Sequence, residues 1–262
     1  MVYVPYNYKD YSKLPVSWRA KFGRFGTKFY STNKFGYNPS VGSSYEDVWG
    51  YGGNLTFLST AYTLNIVSSS SDDDADPAGS GAHSVKIIGV DSNYNYLDEE
   101  KDLNGMSTVT TTNQFLRVYR AFITRAGTGE VNAGNITISA TTGGSVQAYI
   151  GSGDGQTLMA TYTIRDGYYG LVTGYSVSIG VTDSAQVELM VRSEDGVRRV
   201  QQVQNMGKGT NFFENFNDVG SPILITPRSD VFMRAKKSAS SDAEVAASFS
   251  IWEVREEEIN LD

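Results

Sequence analysis

Between Tyr175 and Val203 the hydrophobic and polar positions keep the clearest rhythm in the chain. Tyr175, Val177, Ile179 and Val181 alternate with Ser176, Ser178 and Gly180, a period of two that predicts a half-buried strand. A second alternating run sets Val187, Leu189 and Val191 against Glu188, Met190 and Arg192. Ser193-Glu194-Asp195-Gly196 then predicts a tight turn, because Asp-Gly readily takes the positive φ that short hairpins need. In the third run Val197 and Val203 share a face with Arg199 and Gln201, which suits an edge strand or one covered by polar groups. Three strands with one apolar face require a second layer.

The same pattern continues on both sides. Eight strand-like runs are expected at 145–150, 158–164, 171–181, 186–192, 197–204, 222–226, 230–235 and 244–254, a number that suits a jelly roll or related sandwich. Upstream, strands are expected within 55–67, 83–90, 94–103, 115–124 and 135–140, with turns at Ser92-Asn93, Asn104-Gly105 and Gly143-Gly144. Leu116, Val118 and Phe122 alternate with Tyr119, Ala121 and Ile123, which predicts burial on both faces of that strand. Between about 38 and 142 no stretch of useful length carries the i, i+3, i+4, i+7 spacing of an amphipathic helix. The expected fold is all-β: one or two antiparallel sandwich units at 38–144 and 145–255, an extended arm at 1–37 and an acidic tail at 256–262.

The arm breaks the rhythm. It holds 11 of the chain's 32 aromatic residues without a helical or strand period, interrupted by Pro5, Pro15, Gly23 and Gly26. Residues 1–34 carry seven basic side chains against the single acid Asp10, a net +6, which leaves −13 on the remainder of a chain of net charge −7. A segment this aromatic should leave water, yet lacks the pattern for its own core. It could dock on a neighbouring subunit or strap its own body, and these two readings stand level. Nucleic-acid binding ranks below both, since the acidic body repels phosphates. The candidate subunit contacts are Tyr3, Tyr6, Tyr8, Tyr11, Trp18, Arg19, Phe22, Arg24, Phe25 and Phe29 in the arm. Phe212, Phe213 and Phe216 in the long interruption Gly207–Gly220 complete the set.

Chemistry is sparse. With no cysteine there is no disulfide framework or thiolate metal site. His83 is the sole histidine and reads as an ordinary strand-end residue rather than a catalytic base. Asp72, Asp73, Asp74 and Asp76 form the densest acidic loop, but Pro77 and His83 stand where a calcium loop needs Gly and Glu, so a solvated loop is the favoured reading. Gly151-Ser152-Gly153-Asp154-Gly155 lacks the Lys and the following helix of a phosphate loop, and reads as a wide turn. No catalytic, cofactor or metal residue is assigned, and the chain reads as not an enzyme. The opening MVYVPYNYKDYSK lacks the apolar core of a secretory signal, and no run is long enough for a membrane-spanning helix, so a soluble product made in a cytoplasm is expected.

Several turns and strand starts resemble a known family. Phe35-Gly36-Tyr37-Asn38-Pro39 and Tyr45-Glu46-Asp47-Val48-Trp49 are followed by Gly79-Ser80-Gly81-Ala82-His83-Ser84-Val85, Gly89-Val90-Asp91-Ser92-Asn93-Tyr94 and Leu103-Asn104-Gly105. Phe115-Leu116-Arg117-Val118, Gly134-Asn135-Ile136, Tyr162-Thr163-Ile164, Gly167-Tyr168-Tyr169 and Pro227-Arg228-Ser229-Asp230 continue the series. Together, over about 35–254, these resemble virion structural proteins of tailed bacteriophages, especially marine and cyanobacterial ones. The resemblance implies a capsid decoration or cement protein, with a tail- or baseplate-associated subunit as the alternative. It also implies virion partners (the major capsid protein or tail components, and itself), a symmetric homo-oligomer such as a trimer, and location in the particle. A carbohydrate-binding or host-adhesion module is the alternative of another class.

Overall fold

The computed structural model describes residues 30–216, 222–238 and 240–258. The chain opens with β1 (Tyr30–Val41) and β2 (Glu46–Asp47). Seven strands follow: β3 (Leu64–Ser68), β4 (Ala82–Val90), β5 (Tyr96–Asp102), β6 (Val109–Thr110), β7 (Arg117–Ala126), β8 (Ile136–Ala140) and β9 (Val146–Ile150). The last eight are β10 (Thr161–Thr163), β11 (Tyr168–Ile179), β12 (Ala185–Arg192), β13 (Arg198–Met206), β14 (Asn211–Asn215), β15 (Ile223–Ile225), β16 (Asp230–Lys237) and β17 (Ala243–Arg255). All pairings between them are antiparallel. No helix among the described residues is long and apolar enough to cross a membrane.

Two sandwiches result. In one, sheet β6-β3-β8-β9 shares a core with sheet β5-β4-β7. Leu64, Ile66, Ile136, Ile138 and Ile150 meet Val85, Ile87, Val118 and Ala121 there. In the other, β1-β17-β11-β14, with β15 also on β11, packs on β10-β16-β12-β13, with β2 on β16. Its core joins Val172, Tyr175, Val177, Phe249 and Ile251 to Val187, Leu189, Val191, Val231 and Met233. The inward set of β11 changes parity from Val172 to Tyr175 because a bulge lies between Val172 and Gly174.

The sandwiches do not follow chain order. Residues 30–37, expected at the end of the arm, open β1, which pairs along β17 from Tyr30 opposite Glu253 to Val41 opposite Ala243. The expected border at 144 and 145 falls inside the first sandwich, since β9 pairs with β8. Polypeptide passes between the sandwiches at two adjacent points. Val48 enters one core and Trp49 the other, while Ala160 and Met159 make the same division on the return. The two crossings are bonded to each other, Ala160 N to Val48 O at 3.0 Å and Gly50 N to Leu158 O at 3.0 Å. Beside them β1 lies so close that a Cβ on Gly36 would collide with the Val48 carbonyl oxygen and the Ala160 amide nitrogen.

The expectation of three neighbouring strands at 175–203 is corrected in one respect. β12 and β13 form the hairpin, turned at 193–196 with Gly196 at φ 88°, and β13 is the edge of its sheet. β11, however, belongs to the opposite sheet, and residues 180–184 carry the chain across the sandwich. The period identified the apolar face of each strand but not its partner.

Candidate contact face and inter-sandwich cleft

The outer face of the β1-β17-β11-β14 sheet is a shallow apolar groove. One cross-strand row sets Phe35 beside Ser248, Ser248 beside Ser176 and Ser176 beside Phe213. The two serine hydroxyls lie 2.7 Å apart and share one hydrogen bond, so the floor is small and partly self-paired. Phe35 and Phe213, on the two edge strands, stand 41% and 73% exposed as the walls. Tyr37, Ala246 and Ser178 line the next row, and the cavity holds about 460 Å³. Burial, followed by the nearby Glu244, pushes the Tyr37 hydroxyl up.

The phenylalanines of 207–220 separate by role. Phe212 and Phe216 turn inward and pack on Tyr175, with ring centroids 5.5 and 6.2 Å away, whereas Phe213 faces out. Their segment is partly strand, because β14 pairs with β11. Tyr3, Tyr6, Tyr8, Tyr11, Trp18, Arg19, Phe22, Arg24, Phe25 and Phe29 lie outside the described residues. In the tail, Glu256–Glu258 form a 3-10 turn in which Glu256 and Glu257 are exposed, as expected for a solvated segment.

The acidic loop is structural rather than simply solvated. Asp73 is fully buried and accepts from Ser68 Oγ at 2.5 Å, Ala82 N at 2.7 Å, Ala133 N at 2.7 Å and Gly134 N at 2.9 Å. Its oxygens are committed to fastening three chain segments together. Among the described residues no three His, Asp or Glu side chains converge as metal ligands. His83 Nε2 lies 2.8 Å from the Gly79 carbonyl oxygen, a local loop contact. In the glycine-rich turn, Gly153 N donates to Asn132 O at 3.0 Å and Gly155 N to Asn132 Oδ1 at 2.9 Å, so amides that could cradle a phosphate are already engaged.

Polar side chains also gather where the sandwiches meet. Glu253, 1% exposed on β17, accepts from Tyr162 Oη at 3.1 Å and from Arg165 Nε at 2.7 Å. The Arg165 guanidinium lies 4.1 and 4.3 Å from the ring centroids of Tyr30 and Tyr168. Burial and then the Glu253 charge hold the Tyr162 hydroxyl well above the usual phenol range. Beside them Lys34 of β1 donates to the Tyr119 carbonyl oxygen. Burial, with Arg120 adding repulsion, brings the Lys34 ammonium down to about 7. Alternation could not reveal this cluster, because its members come from β1, β7, β10, β11 and β17 and from Arg165 in the loop after β10.

No family model and no curated protein matches the chain. Solved structures do. An infectious bursal disease virus Gx strain structure has 10% identity over 89% of this chain and 73% of its own, with a TM-score of 0.26. The VP2 subviral particle of the same virus has 14% identity over 87% and 72%, with a TM-score of 0.22. A mitogen from Yersinia pseudotuberculosis has 11% identity over 40% and 91%, with a TM-score of 0.18. Such values mark a loose likeness and carry no argument.

Proposed function

We propose that this chain is a structural subunit of a virion of the tailed-bacteriophage type. It acts as a decoration or cement protein that binds the capsid exterior and its own copies. The observation that carries the reading is the Phe35–Ser248–Ser176–Phe213 row. It is a sheet face with a floor of small residues, a serine pair joined by one hydrogen bond and exposed aromatics at the rim, as suits burial against another protein. The sequence resemblance supports the same role and a symmetric assembly such as a trimer. The arm residues, among them Trp18, Phe22 and Phe25, would add anchors on a neighbour, with their basic side chains on an acidic rim. Adhesion of this kind needs no reaction, and weak contacts repeated around a symmetric particle accumulate through avidity.

The test is to purify particles from infected host cells and look for the chain by mass spectrometry, then locate it in a low-resolution particle map. Density on the head exterior supports the decoration role, and density on the tail or baseplate replaces it with the tail role. Absence from purified particles would remove the virion reading altogether.

A further inference from the structure

The cleft where the two sandwiches meet is a cavity of about 440 Å³. Thr32 and Lys34 of β1, Ile88 of β4, Tyr119 of β7 and Tyr162 of β10 line it, and Tyr30 and Tyr96 stand at its mouth, 44% and 49% exposed. Charge in this cleft is unbalanced. Glu253 is taken by Arg165 at 2.6 Å, and Asp98, which also acts on Tyr96, is taken by Lys86 at 2.6 Å. Lys34 is 5% exposed, and among the described residues neither it nor Arg120 has an acidic partner. Arg120 reaches only the neutral Gln156 Oε1 at 3.2 Å, with its guanidinium over Phe122 at 5.0 Å.

The buried Lys34 amine meets a neutral acceptor, the Tyr119 carbonyl oxygen, so an anion arriving in the cleft would favour its charged form, and the exposed Arg120 guanidinium adds to the positive potential there. The cavity is large enough for a monosaccharide ring. Beside its cations the cleft is lined by Thr32 and by tyrosine rings, of which Tyr30 and Tyr96 are exposed at the mouth, and these suit a hydroxylated ring around one negative group. We propose that this cleft binds a sugar acid, with the carboxylate held between Lys34 and Arg120 and the ring hydroxyls facing the tyrosines. The site lies apart from the outer groove, so it does not depend on the virion reading.

The amine gives the proposal a signature. Because burial and Arg120 lower Lys34 to about 7, it is largely neutral at pH 8, and a carboxylate arriving beside it restores the charged form and draws a proton from the buffer. Against the pull of burial, Arg165 is raised further by its partner Glu253, and burial raises Tyr96, Tyr119 and Tyr162, so these groups keep their charge states near that pH. The uptake therefore belongs to Lys34.

The experiment is calorimetric titration of the full chain with glucuronate and N-acetylneuraminate at pH 8, in two buffers of different ionisation enthalpy. Glucose and inorganic phosphate serve as comparison ligands. At least one sugar acid should bind saturably with uptake of close to one proton, and its affinity should fall by up to about tenfold per pH unit above 7. Lys34→Met should abolish the uptake and weaken binding at least about tenfold, and Arg120→Gln, an exposed position, should weaken it without abolishing uptake. Circular dichroism confirms that each variant is folded, and if Lys34→Met is not, Arg120→Gln decides. Silence with both sugar acids, binding indifferent to Arg120→Gln, or uptake with phosphate alone would each overturn the assignment.

Discussion

Arg117 and Asp230 join the two sandwiches through a buried, two-pronged ion pair, Nε to Oδ1 at 3.0 Å and Nη2 to Oδ2 at 3.2 Å. Arg117 lies on β7 and Asp230, fully buried, on β16. The same carboxylate also accepts from Arg192 at 3.0 Å and from Thr163 at 2.9 Å, while Arg117 reaches the Leu58 carbonyl at 2.6 Å. Arg117, Arg192 and Thr163 therefore share one acid.

Asp230→Ala should accordingly be severe. It would leave two guanidinium groups facing each other without an anion, a loss of about 3–5 kcal/mol. In a chain of this length that lowers the melting temperature by roughly 10 °C or more. Arg228→Ala makes the contrast: Arg228 pairs with Asp166 and Glu194 in the open, and its loss should cost less than about 1 kcal/mol. Thermal melts of the two variants check both.

Lys34 should make stability depend on alkali in an unusual direction. Its folded value lies near 7, below the ordinary lysine value of 10.5, so between them the unfolded chain binds more protons than the folded one. Stability then rises with pH across this window, by at most about 1.4 kcal/mol per unit from this group. Lys34→Met should raise stability at pH 7 and flatten the rise, as read by urea unfolding at pH 7, 8 and 9.

Asp73→Ala would strand the buried amides of Ala82, Ala133 and Gly134, each worth about 1–3 kcal/mol when left unsatisfied. Collapse of the melting transition is expected, whereas Asp73→Asn keeps one acceptor oxygen and should lose less. Because the carboxylate oxygens are already engaged, millimolar calcium should leave the wild-type melt unchanged.

The double variant Phe35→Ser, Phe213→Ser removes both walls of the outer groove without touching either core. Stability should stay within about 0.5 kcal/mol of wild type. Incorporation into particles, read on a gel of gradient-purified material, should drop several-fold. Unchanged incorporation would take the groove out of the assembly contacts.

Where a strand alternates on its own, the sequence was readable. The β12–β13 hairpin followed from Val187, Leu189, Val191 and the Asp195-Gly196 turn, and β13 was recognisable as an edge from Arg199 and Gln201. β1 was not, because its inward positions are Thr32, Lys34, Gly36 and Asn38, a polar row that meets the other sandwich instead of an oily core. Asp73 looked like one acid among four, since only long-range pairing brings Ala82 and Ala133 to it. Phe212 and Phe216 were indistinguishable from Phe213 until β14 assigned alternate residues to opposite faces. The groove row combines residues 35, 176, 213 and 248, and nothing local announces such a gathering.

The pairing of β1 with β17 sets Tyr30 opposite Glu253. Tyr30 and Glu253 therefore stand side by side on adjacent strands at one corner of the sheet. A fluorophore placed at Tyr30, which is 44% exposed, would thus sense the end of β17 as well as the start of β1, and parting of either strand from the other would change its signal.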